Sequence, residues 1–527
     1  MSTPSIATEP PSEFGRHIKS ISHHSSVFLF GTLFSAVAGY FFKIYLARVL
    51  GAEALGIYAL GMTVVGLAGV VSAFGVPQAA SRFVAVYNAT GESRKLGRFL
   101  WSCALAMVVS NAIVGLLLLA LGRWIASTIY HTPALSSYML FFVLIMSTGA
   151  LTTLLGQALA GFKDVAKRTV ITNFVGQVLT MSFAIALLTA GFGLRGYLIA
   201  QVASGAIIVI LLARATVKLS PAEARVPSIG WPPLEAEVVS FSMAFFGVQG
   251  LEFLLAQTDK VLLGVFLNVR VVGVYSIAAT LIAFVPLALQ SVNQIFSPMI
   301  AELHAQGQID LLGRLFRSLA KWTLGLTLPL AAVMMLYSRR IMGLFGPDFE
   351  MGWPVLVVGT LGQLVNCATG SVGYLLLMSG YQKKMLRIQT VMAVVVVVMN
   401  LSLIPVIGIL GAATAGALVN AITNIWYSAE VSQTLGIRHS AKKYLALVAP
   451  AISTFSIIWL VGVFAPGRWP ALVIVITGLL AGYAAFLGVS LLFAMDDDDR
   501  VIEQAVRSKI WEAIGRKTLA QEMRAHD

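Results

Sequence analysis

Long apolar runs separated by short polar segments set the pattern of this chain. Fourteen runs reach the roughly 20 residues that a helix needs to cross a bilayer. They lie near 26–47, 55–75, 99–122, 137–161, 169–190, 193–215, 238–266, 270–297, 319–337, 353–378, 385–406, 408–430, 443–464 and 469–494. The segments between them are too short to hold a catalytic domain. The pattern predicts an all-α polytopic membrane protein with about 14 transmembrane helices.

Basic residues supply the orientation. With the N-terminus placed in the cytoplasm, 27 of the 36 Lys and Arg fall in inside loops and tails, and 7 fall in outside loops. A wrong span count would swap the loops downstream and erase this bias. Both termini are therefore expected in the cytoplasm of a cell (inner or plasma) membrane protein. The N-terminal segment lacks the apolar core of a cleaved signal peptide.

The chain also repeats. Lys43, Leu46, Gly56 and Tyr58 map onto Lys260, Leu263, Gly273 and Tyr275 at a constant offset of 217. Lys95-Leu-Gly-Arg-Phe-Leu-Trp-Ser102 is similar to Leu311-Leu-Gly-Arg-Leu-Phe-Arg-Ser318, and Gly196 with Ala206-Ile207 to Gly411 with Ala421-Ile422. Spans 1–6 thus recur as spans 7–12. Six is even, so the two lobes share an orientation, the parallel-repeat plan of many transporters. The expected organisation is a tail (1–24), an N-lobe (25–216), a cytoplasmic linker (217–237), a C-lobe (238–432), two added spans (433–494) and a tail (495–527). In that last tail Asp496–Asp499 precede an amphipathic pattern from Val501 to Ile514, which reads as a helix lying at the inner surface. The four aspartates read as its N-terminal cap rather than a cation site.

Composition agrees and narrows the options. The chain is 58% hydrophobic and 11% charged, against about 25% charged in a soluble domain. Its mean hydropathy is +0.86. The net charge of +13 sits mostly in short inside loops, a topology signal that does not call for nucleic acid. Cys103 and Cys367 lie in apolar runs, and the histidines lie in loops or tails, so no metal and no cofactor is expected. There is no phosphate-loop motif for ATP and no His-Glu-x-x-His or Gly-x-Ser-x-Gly motif, so an enzyme is not expected.

The candidate chemistry lies in charges kept inside spans, each costing about 2.5–3.5 kcal/mol at mid-bilayer on the lenient scale. Span 1 aligns Thr32, Ser35, Gly39 and Lys43; span 7 aligns Gln249, Glu252, Ala256, Asp259 and Lys260. As repeat mates, the two spans are expected to face one another, with both lysines lining an aqueous cavity. Two plainer readings stay open: a buried pair in which Asp259 neutralises a lysine, and lysines that snorkel to the interface. Glu252 lies deeper and snorkels poorly. Amides on other spans include Gln157, Asn173, Gln177, Gln290, Asn293, Gln294 and Asn366. Each alone reads as an interhelical hydrogen bond; together they suit a hydroxyl-rich ligand. Pro286, Pro329 and Pro405 mark candidate breaks or kinks.

Arg48-Val-Leu-Gly-Ala-Glu-Ala-Leu-Gly-Ile-Tyr58 and Gly75-Val-Pro-Gln-Ala-Ala-Ser-Arg82 resemble the polysaccharide-transporter branch of the multidrug/oligosaccharidyl-lipid/polysaccharide exporter superfamily, the Wzx-type oligosaccharide flippases. Asp259-Lys-Val-Leu-Leu-Gly264 and Gly411-Ala-Ala-Thr-Ala-Gly416 look like the same branch. The resemblance covers about 25–430. It implies two six-helix lobes around a cavity and ion-gradient-driven transfer of an undecaprenyl-diphosphate-linked oligosaccharide to the outer leaflet. It implies cations for the diphosphate at Lys43, Arg48, Lys260 and Arg82, and amides, Gln249 among them, for the sugars. Glu252 and Asp259 become candidates for coupling. Implied partners are the lipid-linked oligosaccharide, membrane lipid and polysaccharide polymerase or export machinery, with the chain itself a monomer. The 14 spans are closer to lipid II flippases than to 12-span sugar flippases. The competing reading is a cation-coupled multidrug antiporter of the same superfamily, which needs an acidic cavity and is disfavoured by the paired lysines.

Overall fold

The computed structural model describes residues 13–225, 235–466 and 469–493, with side chains from residue 38 through 492. The expected C-terminal amphipathic helix and its aspartates, Arg468, and the side chains of Thr32 and Ser35 lie outside that set. The described residues form helices and no strands: α1 (Glu13–Ala73), α2 (Val76–Ala89), α3 (Ser93–Trp124), α4 (Met139–Gly161), α5 (Val165–Thr169), α6 (Gly176–Thr189), α7 (Gly193–Leu219), α8 (Ala236–Phe266), α9 (Val269–Ile282) and α10 (Leu287–Ala305). They continue with α11 (Ile309–Leu336), α12 (Ser338–Gly343), α13 (Trp353–Thr369), α14 (Val372–Met378), α15 (Gln382–Ile407), α16 (Ile409–Leu435), α17 (Ala441–Leu445), α18 (Val448–Phe464) and α19 (Ala471–Phe493).

By length and composition 12 of these helical segments can cross a membrane, or 13 if α9 and α10, bent by 48° at their break, count as one span. The sequence pattern gives 14. The difference arises at α1, which carries the expected spans 26–47 and 55–75 as one element. A straight helix of 61 residues would measure about 90 Å, three times the hydrocarbon layer. Gly51, at φ 76° and ψ 174°, breaks it into two arms. A single glycine at positive φ suffices for the break, so no loop separates the spans. Pro286 sits at the break between α9 and α10, whereas Pro329 and Pro405 lie inside the continuous α11 and α15.

The chain divides into two compact units, residues 1–273 and 274–527. The sequence repeat and the packing therefore divide it at different places: α8, the seventh expected span, packs in the first unit. There it runs antiparallel to the second arm of α1, with close approaches where glycine leaves room. A Cβ on Gly75 would stand 2.1 Å from Ser242 O, one on Gly66 would stand 3.0 Å from Phe253, and one on Gly264 would stand 2.3 Å from Leu60. Phe83, Tyr87, Phe99 and Phe241 close one end of this unit as an aromatic cluster joining α2, α3 and α8. Burial of four rings, each removing 150–250 Å² from solvent or lipid, fixes the start of α8. Tyr87 Oη adds a hydrogen bond to Glu235.

In the second unit α13 packs on α16 and α11, and α15 on α16. The α18–α19 pair docks on α11. Tyr337, at the end of α11, is the anchor of that docking. Its ring lies where Cβ atoms on Gly462 and Gly478 would come within 2.7 and 2.6 Å, and its hydroxyl donates to Ile458 O.

Candidate functional site

Lys43 sits on the first arm of α1, three and four residues before Leu46 and Ala47 and so on their side of the helix. Phe42, Leu46 and Ala47 are buried, and Phe42 packs its ring against Tyr45 and Tyr197. Lys43 is nevertheless exposed, eight residues before the break at Gly51. On α8, Thr258, Leu263 and Gly264 are buried while Asp259 and Lys260 are half-buried. Lys260 Nζ donates to Gln257 Oε1 at 2.9 Å, and the Lys260 backbone N–H donates to Asp259 Oδ1 at 2.7 Å. The charge of Lys260 acts on Lys43. The two lysines therefore lie within electrostatic range of one another, both within the first unit. Like charges repel, and more strongly as their surroundings become less polar. A bound anion turns that repulsion into attraction.

The amides gather in part. Gln177 Nε2 would stand 3.5 Å from a Cβ on Gly39, one helical turn from Lys43. Asn173 is half-buried in the π-helical turn 170–175 that joins α5 to α6, and its Oδ1 accepts from Thr172. Gln249 lines an apolar cavity of about 380 Å³ with Met62, Val65, Gly66, Met146 and Gly149. Gln157 is half-buried on α4, beside Gly156, whose missing side chain admits Arg168. Glu252 is exposed, two turns before Lys260. Arg48 is exposed at the end of the first arm.

Other expected residues lie elsewhere. Arg82 pairs with Glu237 at 3.1 Å on the surface and stacks over Phe83 and Phe241. Glu237 and Lys260 are 23 residues apart on α8, roughly 34 Å by helix rise, so Arg82 does not join the lysines. Four amides belong to the second unit. Gln290 and Gln294 are exposed on α10, Asn293 is buried and accepts from Ser371 Oγ, and Asn366 donates to Gln363 at 3.0 Å. Among the described residues no three of His, Cys, Asp or Glu gather as a metal site would.

Two features escaped the sequence reading. Tyr58, Tyr197 and Gln201 form a cluster: Gln201 Nε2 donates to Tyr58 Oη at 2.8 Å, and the tyrosine rings lie 5.1 Å apart. Tyr58 was marked by the repeat, but its partners come from another span. Arg168 reads from sequence as a loop cation. It lies instead half-buried at the start of the π-helical turn, against Gly156. A π-bulge shifts helix register by one residue, and apolar periodicity over so few residues does not reveal it.

The apolar helices and the charged groups held within them describe a multi-pass membrane protein. The chain belongs to the polysaccharide biosynthesis protein family, which matches over residues 23–304. A probable flippase, AglR, from Haloferax volcanii is 26% identical over 163 residues, which is 30% of this chain and 34% of that relative. The match therefore spans about a third of the relative's length. Among solved structures, a lipid II flippase, MurJ, in an inward closed conformation superposes with a TM-score of 0.71 over 88% of this chain and 98% of its own, at 14% identity. An inward-facing multidrug resistance MATE family transporter superposes with a TM-score of 0.62 over 78% of this chain and 98% of its own, at 13% identity. At such identities both likenesses concern the fold.

Proposed function

We propose that the protein moves an undecaprenyl-diphosphate-linked oligosaccharide, the repeat unit of a cell-surface polysaccharide, from the cytoplasmic to the outer leaflet of the cell membrane. The observation that supports this reading best is the pair Lys43 and Lys260, two like charges within electrostatic range of one another on helices α1 and α8. Such a pair is costly alone and well suited to a diphosphate, where charge-assisted hydrogen bonds are strong. Arg48, five residues beyond Lys43, extends the cationic track. Gln177, Asn173, Gln157 and Gln249 in the first unit, with Gln290, Gln294 and Asn366 in the second, are the amides offered to sugar hydroxyls. Asn293 gives its oxygen to Ser371, so it contributes through its amide N–H groups. The lobes alternate access, driven by an ion gradient, with Glu252 and Asp259 as coupling carboxylates. Both termini lie in the cytoplasm, and the monomeric protein supplies polymerase or export machinery.

The test is a host lacking this protein. Its polyprenyl-diphosphate lipids are extracted and weighed. The expected result is accumulation of a complete oligosaccharide-linked lipid, relieved by the wild type and not by Lys43→Ala. The mass also separates a polysaccharide repeat unit from lipid II. The fold likeness to a MATE transporter favours a second reading, cation-coupled drug export. No accumulation, together with altered sensitivity to cationic drugs, would select it.

A further inference from the structure

Arg339 and Arg340 stand in a segment that the basic-residue bias assigns to the outer face, where cations are scarce. Neither has a carboxylate in ion-pair range among the described residues. Arg339 lies over the Trp353 ring at 5.9 Å, and Arg340 over the Tyr337 ring at 5.5 Å. Arg340 also donates to Gly462 O at 3.2 Å, which fixes its guanidinium against α18. The two arginines form the polar end of an open cavity of about 560 Å³, whose other walls include Leu336, Trp353, Trp459 and Val463. Those four side chains are exposed. Below the cavity α18 continues the same apolar track with Ile452, which is 63% exposed. The whole site lies within the second unit, between α11–α13 and the docked α18.

We propose that this cavity binds a membrane lipid through its phosphate head, in the leaflet facing this end of the spans. That leaflet is the outer one in the topology proposed above. The charge argument selects the head. Two guanidinium groups without counter-ions match a phosphate ester, and each presents a planar fork that pairs with phosphate oxygens. The aromatic rings beside the guanidinium groups hold them at the wall by cation–π attraction and take up none of their N–H donors in ion pairs. The apolar walls select the lipid over free phosphate. Trp459, Val463 and Ile452 offer acyl-chain contact along one face of α18, and tryptophan is favoured at the depth where head meets chain. The site is separate from the lysine pair of the first unit and does not depend on the transported substrate. Its occupant would brace the joint between the repeat and the added α18–α19 pair.

Native mass spectrometry of the purified full-length chain, with phosphatidic acid, phosphatidylglycerol or phosphatidylcholine added, tests this. The expected ranking follows head charge: phosphatidic acid above phosphatidylglycerol, and both above phosphatidylcholine. Loss of charged hydrogen bonds in Arg339→Ala/Arg340→Ala should weaken the acidic-lipid adducts about ten-fold. Millimolar inorganic phosphate should leave the wild-type adducts in place. Displacement by phosphate would assign the site to a free anion and overturn the lipid. Equal adducts in wild type and the double variant would overturn the site. If the double variant loses its monodisperse elution, Arg339→Gln replaces it, since that exposed side chain contacts Trp353 alone among the interactions above. Unchanged adducts in that variant are equally fatal.

Discussion

Gly56 and Gly273 are repeat mates, and the structure brings them to the same crossing. A methyl on Gly56 would stand 1.8 Å from Val269 O; one on Gly273 would stand 2.0 Å from Ala52 O and 2.9 Å from Gly56 N. Ala52 and Val269 are themselves 217 residues apart, so the contact is symmetric under the repeat. The second arm of α1 and the first turn of α9 cross here backbone to backbone. An ordinary contact needs 3.4 Å or more, so Gly273→Ala forces rigid backbone apart by over an ångström. Overpacking of this kind costs about 1–3 kcal/mol, a factor of about 5–150 in an equilibrium. The two methyls push on the same joint. Once one has separated the strands of backbone, the other meets less resistance, so Gly56→Ala/Gly273→Ala should cost well under the sum of the singles, by about 0.5–3 kcal/mol. Gly69 is the control, because a methyl there meets nothing within 4 Å; Gly69→Ala should be neutral or stabilising by up to about 1 kcal/mol. Denaturant midpoints of the purified variants in detergent provide the measurement. A wild-type midpoint for Gly273→Ala, or strict additivity in the double variant, would refute the crossing as described.

If Asp259 or Glu252 couples transport to protons, Asp259→Asn or Glu252→Gln should abolish gradient dependence of transport in vesicles at normal expression; unchanged pH dependence in both rejects the assignment. His439 gives a second pH test. Tyr444 Oη donates to Ala368 O at 2.6 Å, so it accepts from His439 Nδ1–H, and Nε2 accepts from Ser428 Oγ at 2.8 Å. Burial lowers the imidazole pKa from its ordinary 6.5. Between the folded and unfolded values the unfolded chain binds more protons, so stability falls as pH drops below about 6.5. Melting curves of wild type and His439→Gln across that window should converge towards acid; parallel curves would contradict the neutral, hydrogen-bonded ring.

Fold class was legible because spanning a bilayer requires long apolar runs, and the loops between them record orientation in their charge. The break at Gly51 was less so, since one residue with positive φ needs no polar loop to announce it. Lys43 and Lys260 were legible as charges where charge is expensive. Their amide neighbours were not separable, because an amide that bridges helices and one that faces a ligand look alike in sequence. Asn293, held by Ser371, and Gln177, reaching towards Gly39, come from equally polar stretches. Arg82 is a different case. Its motif suggested a cavity cation, but Glu237, remote in sequence, claims it at the surface.

The repeat explains which features agree between the halves and which diverge. Leu46 and Leu263 are 3% and 0% exposed, and Gly56 and Gly273 share one crossing. These residues build the scaffold, and a symmetric scaffold needs the same side chain at both positions. Around the lysines the symmetry ends. Gln257 and Asp259, which bond the Lys260 side chain and backbone, correspond to Tyr40 and Phe42 around Lys43. The residues flanking the two lysines thus differ in kind at equivalent positions of the repeat. The repeat therefore keeps the residues that pack the scaffold and varies those that flank the two charges.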